Sequence, residues 1–171
     1  QKSHKGEHRI SICGSKSESN RLLIIQALYN KLKIQNLSTS DDTQVLKAAL
    51  SYDKDLVDIH HAGTAMRFLT AYYACFTTKT ITLTGSVRMQ QRPIKILVDG
   101  LLQLGAKIEY INSEGYPPLK IYPAKLKQNK LNMRADTSSQ YISALMLVAP
   151  KLKEGLQINF TSKIPSLPYL K

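Results

Sequence analysis

Tryptophan is absent from this chain, cysteine occurs only twice, and acidic residues number 12 against 24 lysines and arginines. Each shortage narrows the possibilities. The two cysteines, Cys13 and Cys75, sit in apolar strand-like and helix-like stretches without a CxxC or a histidine at ligand spacing. Buried free thiols in a reducing compartment fit this better than a disulfide or a metal site. The chain also lacks an 18-residue apolar run and a recognisable signal or transit segment, so a cytoplasmic location away from membranes is expected. Aromatics make up 7% of residues, and no zinc-finger spacing or basic heptad segment is present, which weakens a nucleic-acid reading.

The 171 residues suffice for one ordinary domain with a substantial core. A hydrophobic content of 43% and a charged content of 21% are globular values. The net charge of +12 needs a reason. The basic residues are scattered, as in Lys31/Lys33, Lys79, Lys120, Lys125/Lys127/Lys130 and Lys151/Lys153. Most read as solvated surface, with a focused subset able to draw an anionic substrate into a cleft.

The organising stretch is Gly14 to Tyr29, GSKSESNRLLIIQALY. Arg9 to Cys13 alternates as a strand. A turn with Lys16, Ser17, Ser19 and Arg21 follows, then an apolar stripe at Leu22, Ile25, Leu28 and Tyr29 at helical spacing. A helix start offers free N–H groups and partial positive charge to a phosphate or carboxylate. The plainer alternative is that Ser15 or Ser17 caps the helix while Lys16 and Arg21 are solvated. A Walker loop is excluded, because the order is Gly14-Ser15-Lys16-Ser17 and Arg9 stands where the earlier glycine belongs.

Further along, strands are expected at Lys33–Leu37, Asp55–Ile59, Lys79–Thr84, Lys107–Ile111, Leu119–Tyr122, Leu131–Arg134 and Gln157–Thr161. Helices are expected at Asp41–Leu50 and at Ile94–Leu104, the latter closed by Gly105. Arg88 and Arg92 fall in a loop before Pro93. His60 to Phe76 and Thr137 to Val148 repeat the turn-into-helix pattern of the first stretch. Each of the three places hydroxyls or glycine at a helix start with Arg21, Arg67 or Gln140 close behind. A repeat of about 65–75 residues is therefore expected, with helix starts able to converge on one polyanion-binding cleft.

Five blocks then carry a resemblance. GSKSESNR (Gly14–Arg21), AGTAMRFLTA (Ala62–Ala71), TGSVRMQQRPIKILVDGLLQLGA (Thr84–Ala106), SSQYISALMLVAP (Ser138–Pro150) and the closing PSLPYLK resemble, in order and spacing, the 5-enolpyruvylshikimate-3-phosphate (EPSP) synthase family. The resemblance implies an inside-out α/β barrel in two lobes, each of three βαβαββ units. It implies an enzyme, a 3-phosphoshikimate 1-carboxyvinyltransferase, moving the enolpyruvyl group of phosphoenolpyruvate to the 5-hydroxyl of shikimate 3-phosphate without metal or organic cofactor, in the route to chorismate and aromatic amino acids. It further implies that residues 14–171 are one lobe, incomplete in its third repeat, and that 1–13 form a strand belonging to the opposite lobe.

By the same resemblance, Lys16, Ser17, Arg21, Ser138, Ser139, Gln140, Ser166 and Tyr169 hold shikimate 3-phosphate. Gly63, Arg88 and Gln140 contact phosphoenolpyruvate, with Lys16 between the ligands as a positioning and charge-stabilising group. Thr64, Arg67 and Arg92 support the cleft. His61 stands where the family usually has asparagine, either as a substitute donor or as a structural residue, and Leu167 departs from the family's lysine. The proton-transfer acid is expected outside this chain, in the missing second lobe, so the chain alone is expected to present half a site without turnover. A monomer is the family expectation. The alternative is an RNA-processing or nucleic-acid-binding module of related fold, against which the placement of the nine tyrosines on apolar helix faces and turns counts.

Overall fold

Helix α3 (Gly63–Phe76) is the element on which the others pack. The protein is seen here as a computed structural model describing residues 10–51, 54–134, 136 and 138–163. Ten of the residues in α3 are buried, among them Ala65, Met66, Phe68, Leu69 and Tyr73. A helix apolar over so much of its circumference can only be stable when covered on several sides, and α3 is covered by a sheet and by neighbouring helices.

The sheet has four strands in the order β1 (Leu56–Asp58), β2 (Ile81–Thr84), β4 (Leu119–Tyr122), β3 (Lys107–Tyr110). β1 and β2 are parallel, and β4 runs antiparallel to both β2 and β3. Ile81 faces Ile121 and Leu83 faces Leu119 in register, all four buried, while the intervening Lys120 is exposed. Strand side chains alternate between faces, so one face meets the helices and the other meets solvent. Helices α3 and α5 (Lys95–Leu104) lie between these strands in sequence and cover the inner face with Leu69, Leu97 and Leu101, none of which is accessible. Gly105 ends α5 at φ 99°, its N–H reaching the carbonyls of Leu101 and Leu102. A left-handed residue there is the ordinary glycine termination.

Strand, helix, strand, helix and a strand pair make one complete βαβαββ unit. The next begins with β5 (Lys130–Met133), α6 (Ser139–Val148), a 3₁₀ turn (Ala149–Lys151) and β6 (Gln157–Phe160), β5 and β6 being parallel. The interval from Leu56 to Lys130 agrees with the repeat length expected from the sequence.

Before β1 the agreement is poorer. Helices α1 (Lys16–Leu28) and α2 (Asp41–Ser51) pack against each other and against α3, but among the described residues no strand accompanies them. Ile10–Cys13, the described part of the expected N-terminal strand, is unpaired, with Ile10 84% and Ile12 76% exposed; residues 1–9 lie outside the described residues. Lys33–Leu37 is likewise not a strand. The spacing from Lys16 to Gly63 falls short of a full repeat. An alternating pattern marks a strand only where a partner edge is available to pair with its N–H and C=O groups, and none is offered among the described residues.

The apolar stripe of α1 was also expected one position out of phase. Leu23, Ile24 and Leu28 are buried, whereas Tyr29 is 42% exposed and Leu22 and Ile25 are only partly covered. A run of four consecutive aliphatic residues, Leu22 to Ile25, leaves the phase open, and packing on α3 decides it. Cys13 corrects the expectation of two buried thiols, for it is exposed; Cys75 is largely covered. The stretch expected as a loop before Pro93 contains one further short helix, α4 (Val87–Gln90), capped by Ser86.

Candidate functional site

Because β1 and β2 are parallel, their C-terminal ends open on one edge, and α3 and α4 start from that edge. The two connections are locked together. His60, at φ 51°, accepts a 2.9 Å hydrogen bond on its carbonyl from Ser86 N–H, and its own N–H donates to Asp58 Oδ1 at 2.8 Å. Ligand sites of open α/β sheets gather at this edge, beyond the strand C-termini.

Gly63 is the first residue of α3 and is buried. A Cβ there would run into Arg92 Nη1 and would lie 3.0 Å from Arg67 Nη1. Two guanidinium groups thus converge over a residue with no side chain. Arg67 is 6% exposed, donates from Nη1 to the Gly63 carbonyl at 2.7 Å, and lies 5.6 Å from the Tyr141 ring centroid. Its Nε finds no partner. Burial holds the Arg67 pKa below the ordinary guanidinium value, with the Arg92 charge acting in the same direction and Tyr141 opposing. Among the described residues neither Arg67, Arg88 nor Arg92 makes a salt bridge to a carboxylate. Buried or clustered cations lacking a counter-charge are costly, and an anion over Gly63 relieves that cost.

The first turn of α6 is tied to the same place. Tyr141 is buried, and its hydroxyl donates to the Pro93 carbonyl at 2.7 Å, next to Arg92. Ser138 caps α6, its Oγ accepting from Gln140 N–H at 3.3 Å, and Ser139 and Gln140 are half-buried.

Helix α1 joins through Arg21, whose guanidinium lies 5.7 Å from the Phe68 ring of α3 and donates to Ser17 Oγ and to the Ser17 carbonyl, both at 2.8 Å. Lys16 is half-exposed and pairs with Asp42 at 3.4 Å. Ser15 caps α1, accepting from Glu18 N–H at 3.4 Å. The cap reading and the ligand reading of this turn are therefore compatible: one serine closes the helix, while Ser17 and Arg21 face each other one turn on.

Beneath that turn runs a buried polar network that sequence reasoning missed. Asn20, fully buried, accepts from Thr43 Oγ1 at 2.8 Å; Thr43 meets Ser40 at 3.0 Å, and Ser38 N–H donates to Ser19 Oγ at 2.9 Å. Gly14 backs so closely onto the Asn36 carbonyl that a Cβ would collide with it. These contacts tie the α1 start to α2 and to the segment that joins the two helices. The available signal was polar Ser19 and Asn20 adjoining the apolar run, and it was obscured by the misphased stripe.

The structure therefore gathers Gly63, Arg67, Arg92 and the Ser138–Tyr141 turn, and links Ser17 and Arg21 to them through Phe68. Thr64 is half-buried on α3. Arg88 is exposed on α4, and His61 is exposed with its ring 6.4 Å from that of His60. Ser166 and Tyr169 lie outside the described residues. Among the described residues no group of three or more His, Cys, Asp or Glu side chains could hold a metal ion, and no helix is long and apolar enough to cross a membrane.

The fold and these residues define an α/β lobe of βαβαββ units with cations or hydroxyls at three helix starts. The comparisons with known proteins make the assignment particular. A family model described as EPSP synthase (3-phosphoshikimate 1-carboxyvinyltransferase) matches residues 46–171. The 3-phosphoshikimate 1-carboxyvinyltransferase of Bacteroides fragilis (strain ATCC 25285) is 51% identical over 162 residues, covering 94% of this chain and 39% of the relative. That of Actinobacillus pleuropneumoniae serotype 3 is 37% identical, covering 96% and 45%. A solved EPSP synthase from Acinetobacter baumannii superposes with a TM-score of 0.68 at 19% identity, over 82% of this chain and 38% of that one. The chain belongs to the EPSP synthase family, and it spans 39% and 45% of the length of these two curated relatives.

Proposed function

We propose that this chain forms one lobe of a 3-phosphoshikimate 1-carboxyvinyltransferase and supplies half of its two-substrate site. In the reaction the 5-hydroxyl oxygen of shikimate 3-phosphate forms a bond to the enolpyruvyl carbon of phosphoenolpyruvate, and phosphate leaves. Lobe residues 14–171 meet a second lobe across the cleft, residues 1–13 belong to that second lobe, and the assembled enzyme is a cytoplasmic monomer. The proton-transfer acid lies in the second lobe, so this chain by itself binds without turning over.

The observation that carries the reading is the convergence of Arg67 and Arg92 over the bare backbone of Gly63, with no carboxylate among the described residues to neutralise them. Phosphoenolpyruvate is small and multiply charged, and a glycine lets the backbone approach it closely. Arg88, exposed at the rim, and Gln140, at the start of α6, complete that pocket. Ser17, Arg21, Ser138, Ser139, Gln140, Ser166 and Tyr169 hold the phosphosugar acid, and Lys16 stands between the ligands. Guanidinium groups bind phosphate and carboxylate in a bidentate fork that lysine cannot reproduce. Holding both substrates at once supplies the orientation that a bimolecular transfer otherwise lacks. His61 stands at the position of the family asparagine, either as a substitute donor or as a structural residue.

Calorimetric titration of shikimate 3-phosphate into the chain tests the assignment. Saturable binding that weakens about tenfold or more in Arg21→Ala is expected, the loss of one charge-assisted contact. Equal binding by the variant would remove Arg21 from the site, and turnover by the purified chain would refute the half-site.

A further inference from the structure

At the opposite end of the helices, away from the candidate site, lies a concavity of about 650 Å³. Cys75 and Phe76, in the last turn of α3, form part of its wall. A second wall is the extended segment after β4, with Lys125, Leu126 and Lys127. The third is the turn after α6, with Lys151, Leu152 and Lys153. Neither wall is loose. Lys127 and Gln128 N–H groups donate to the Leu104 carbonyl at 2.9 and 3.2 Å, and Asn129 joins the walls, donating to the Glu154 carbonyl at 3.4 Å and accepting from Gln157 N–H at 2.7 Å.

The charges are one-sided. Four lysines line the space against one carboxylate, Glu154, and among the described residues none of the four makes a salt bridge. Lys151 instead lies 4.9 Å from the Tyr29 ring centroid, a contact that orients the side chain without neutralising it. Backbone N–H groups of Thr77, Gly105 and Ala149 bond carbonyls in the last turns of α3, α5 and α6. The Cys75 thiol, pushed up to about 12 by burial, adds no negative charge. Phe76, Leu126 and Leu152 contribute an apolar surface.

We propose that this pocket binds a nucleotide-sized organic polyphosphate, its phosphates among Lys125, Lys127, Lys151 and Lys153 and its ring system against Phe76, Leu126 and Leu152. The volume lies within the usual range for small-molecule sites, and compact ammonium groups suit phosphates as point charges. The site is separate from the helix-start cleft and shares no residue with it.

The test is calorimetric titration of ATP into the full chain at fixed ionic strength, with amide chemical-shift mapping. Saturable binding is expected, with shifts at Leu126, Lys127 and Gly155. Inorganic tripolyphosphate is expected to compete but to bind several-fold more weakly, lacking the ring. Lys127→Gln/Lys153→Gln should cut ATP affinity at least tenfold while its thermal melt and the shikimate 3-phosphate titration stay unchanged, and Arg21→Ala should leave ATP binding intact. No saturation at millimolar ATP would overturn the proposal. So would shifts confined to Gly63, Arg67 and Gln140, equal affinity for tripolyphosphate, or a single-stranded RNA oligomer binding far more tightly than ATP at these lysines.

Discussion

Replacing Gly63 by alanine should separate stability from anion binding, with opposite signs. Gly63 is not one of the glycines held at positive φ, so alanine suits its backbone. Within a helix, and by restricting the unfolded chain, alanine stabilises by about 0.4–1 kcal/mol. The added methyl would run into Arg92 Nη1 and crowd Arg67 Nη1 at 3.0 Å. Arg92 is exposed and can swing away, whereas Arg67 is buried and tied to the Gly63 carbonyl at 2.7 Å. On the proposed reading, with Arg92 reaching an anion over Gly63, displacing it costs one charge-assisted contact, about 1.5–3 kcal/mol, or roughly tenfold to a hundredfold in affinity. Differential scanning calorimetry and phosphoenolpyruvate titration on the same preparation read both quantities. A melting temperature unchanged or raised by a few degrees, alongside that loss of affinity, is the expected result. Unaltered affinity would show that Arg92 does not hold the ligand over Gly63, and a melt lowered by several degrees would show that Arg92 and Arg67 cannot yield.

Two further outcomes follow from the same packing. Asn20→Ala should destabilise the chain by about 1–3 kcal/mol in urea unfolding, because it removes the acceptor of a buried hydroxyl, and a double-mutant cycle with Thr43→Val should give a coupling of about 0.5 kcal/mol or more; additivity of the two changes would mean that the 2.8 Å contact between them does not tie α1 to α2. At pH 8 iodoacetamide should modify Cys13, whose thiol is held below its ordinary value by hydrogen bonding with Thr39, and should spare Cys75, pushed up to about 12 by burial, since the thiolate is the nucleophile; peptide mass spectrometry showing equal labelling in the native chain would contradict this arrangement.

The parts of the fold that could be read in advance are those where local chemistry and packing demand the same thing. Gly105 ends α5 because a helix followed by a strand needs a left-handed residue there, and the apolar spacing of Leu97, Val98 and Leu101 leaves one face to bury. The strands around Leu83 and Ile121 alternate because one face of their sheet is covered. The N-terminal third resisted the same treatment. Its alternation at Ile10–Cys13 and Lys33–Leu37 has no partner edge among the described residues, and pairing is a tertiary property that propensity does not encode. The phase of α1 depends on α3, which follows it in the chain. For the candidate site, residue types and order were legible, since Gly63, Arg67 and the Ser138–Gln140 turn each announce a helix start. Which cations meet was not. Arg92 reaches Gly63 only because α4 and Pro93 fold the chain back, and Tyr141, which fastens α6 to that turn, carried no polar signature among its apolar neighbours.

The cations of the site are not equivalent, and their differences bear on how an anion is received. Lys16 is exposed and already paired with Asp42 at 3.4 Å, a surface contact worth about 0–1 kcal/mol. A phosphate can therefore draw Lys16 away at little cost, and the flexible ammonium suits a position between two ligands. Arg67 is different: it is buried, unpaired by any described carboxylate, short of a partner at Nε, and 5.6 Å from the Tyr141 ring centroid. It cannot follow a ligand, so its contribution is a fixed field directed at the backbone of Gly63. Arg92 lies between these extremes, exposed yet brought to the same glycine. On the proposed reading, a fixed charge flanked by movable ones lets the ligand's first contact be with groups that can adapt, while its final position is set by the one that cannot. That division comes from burial alone, since Arg67 and Arg92 are chemically the same residue.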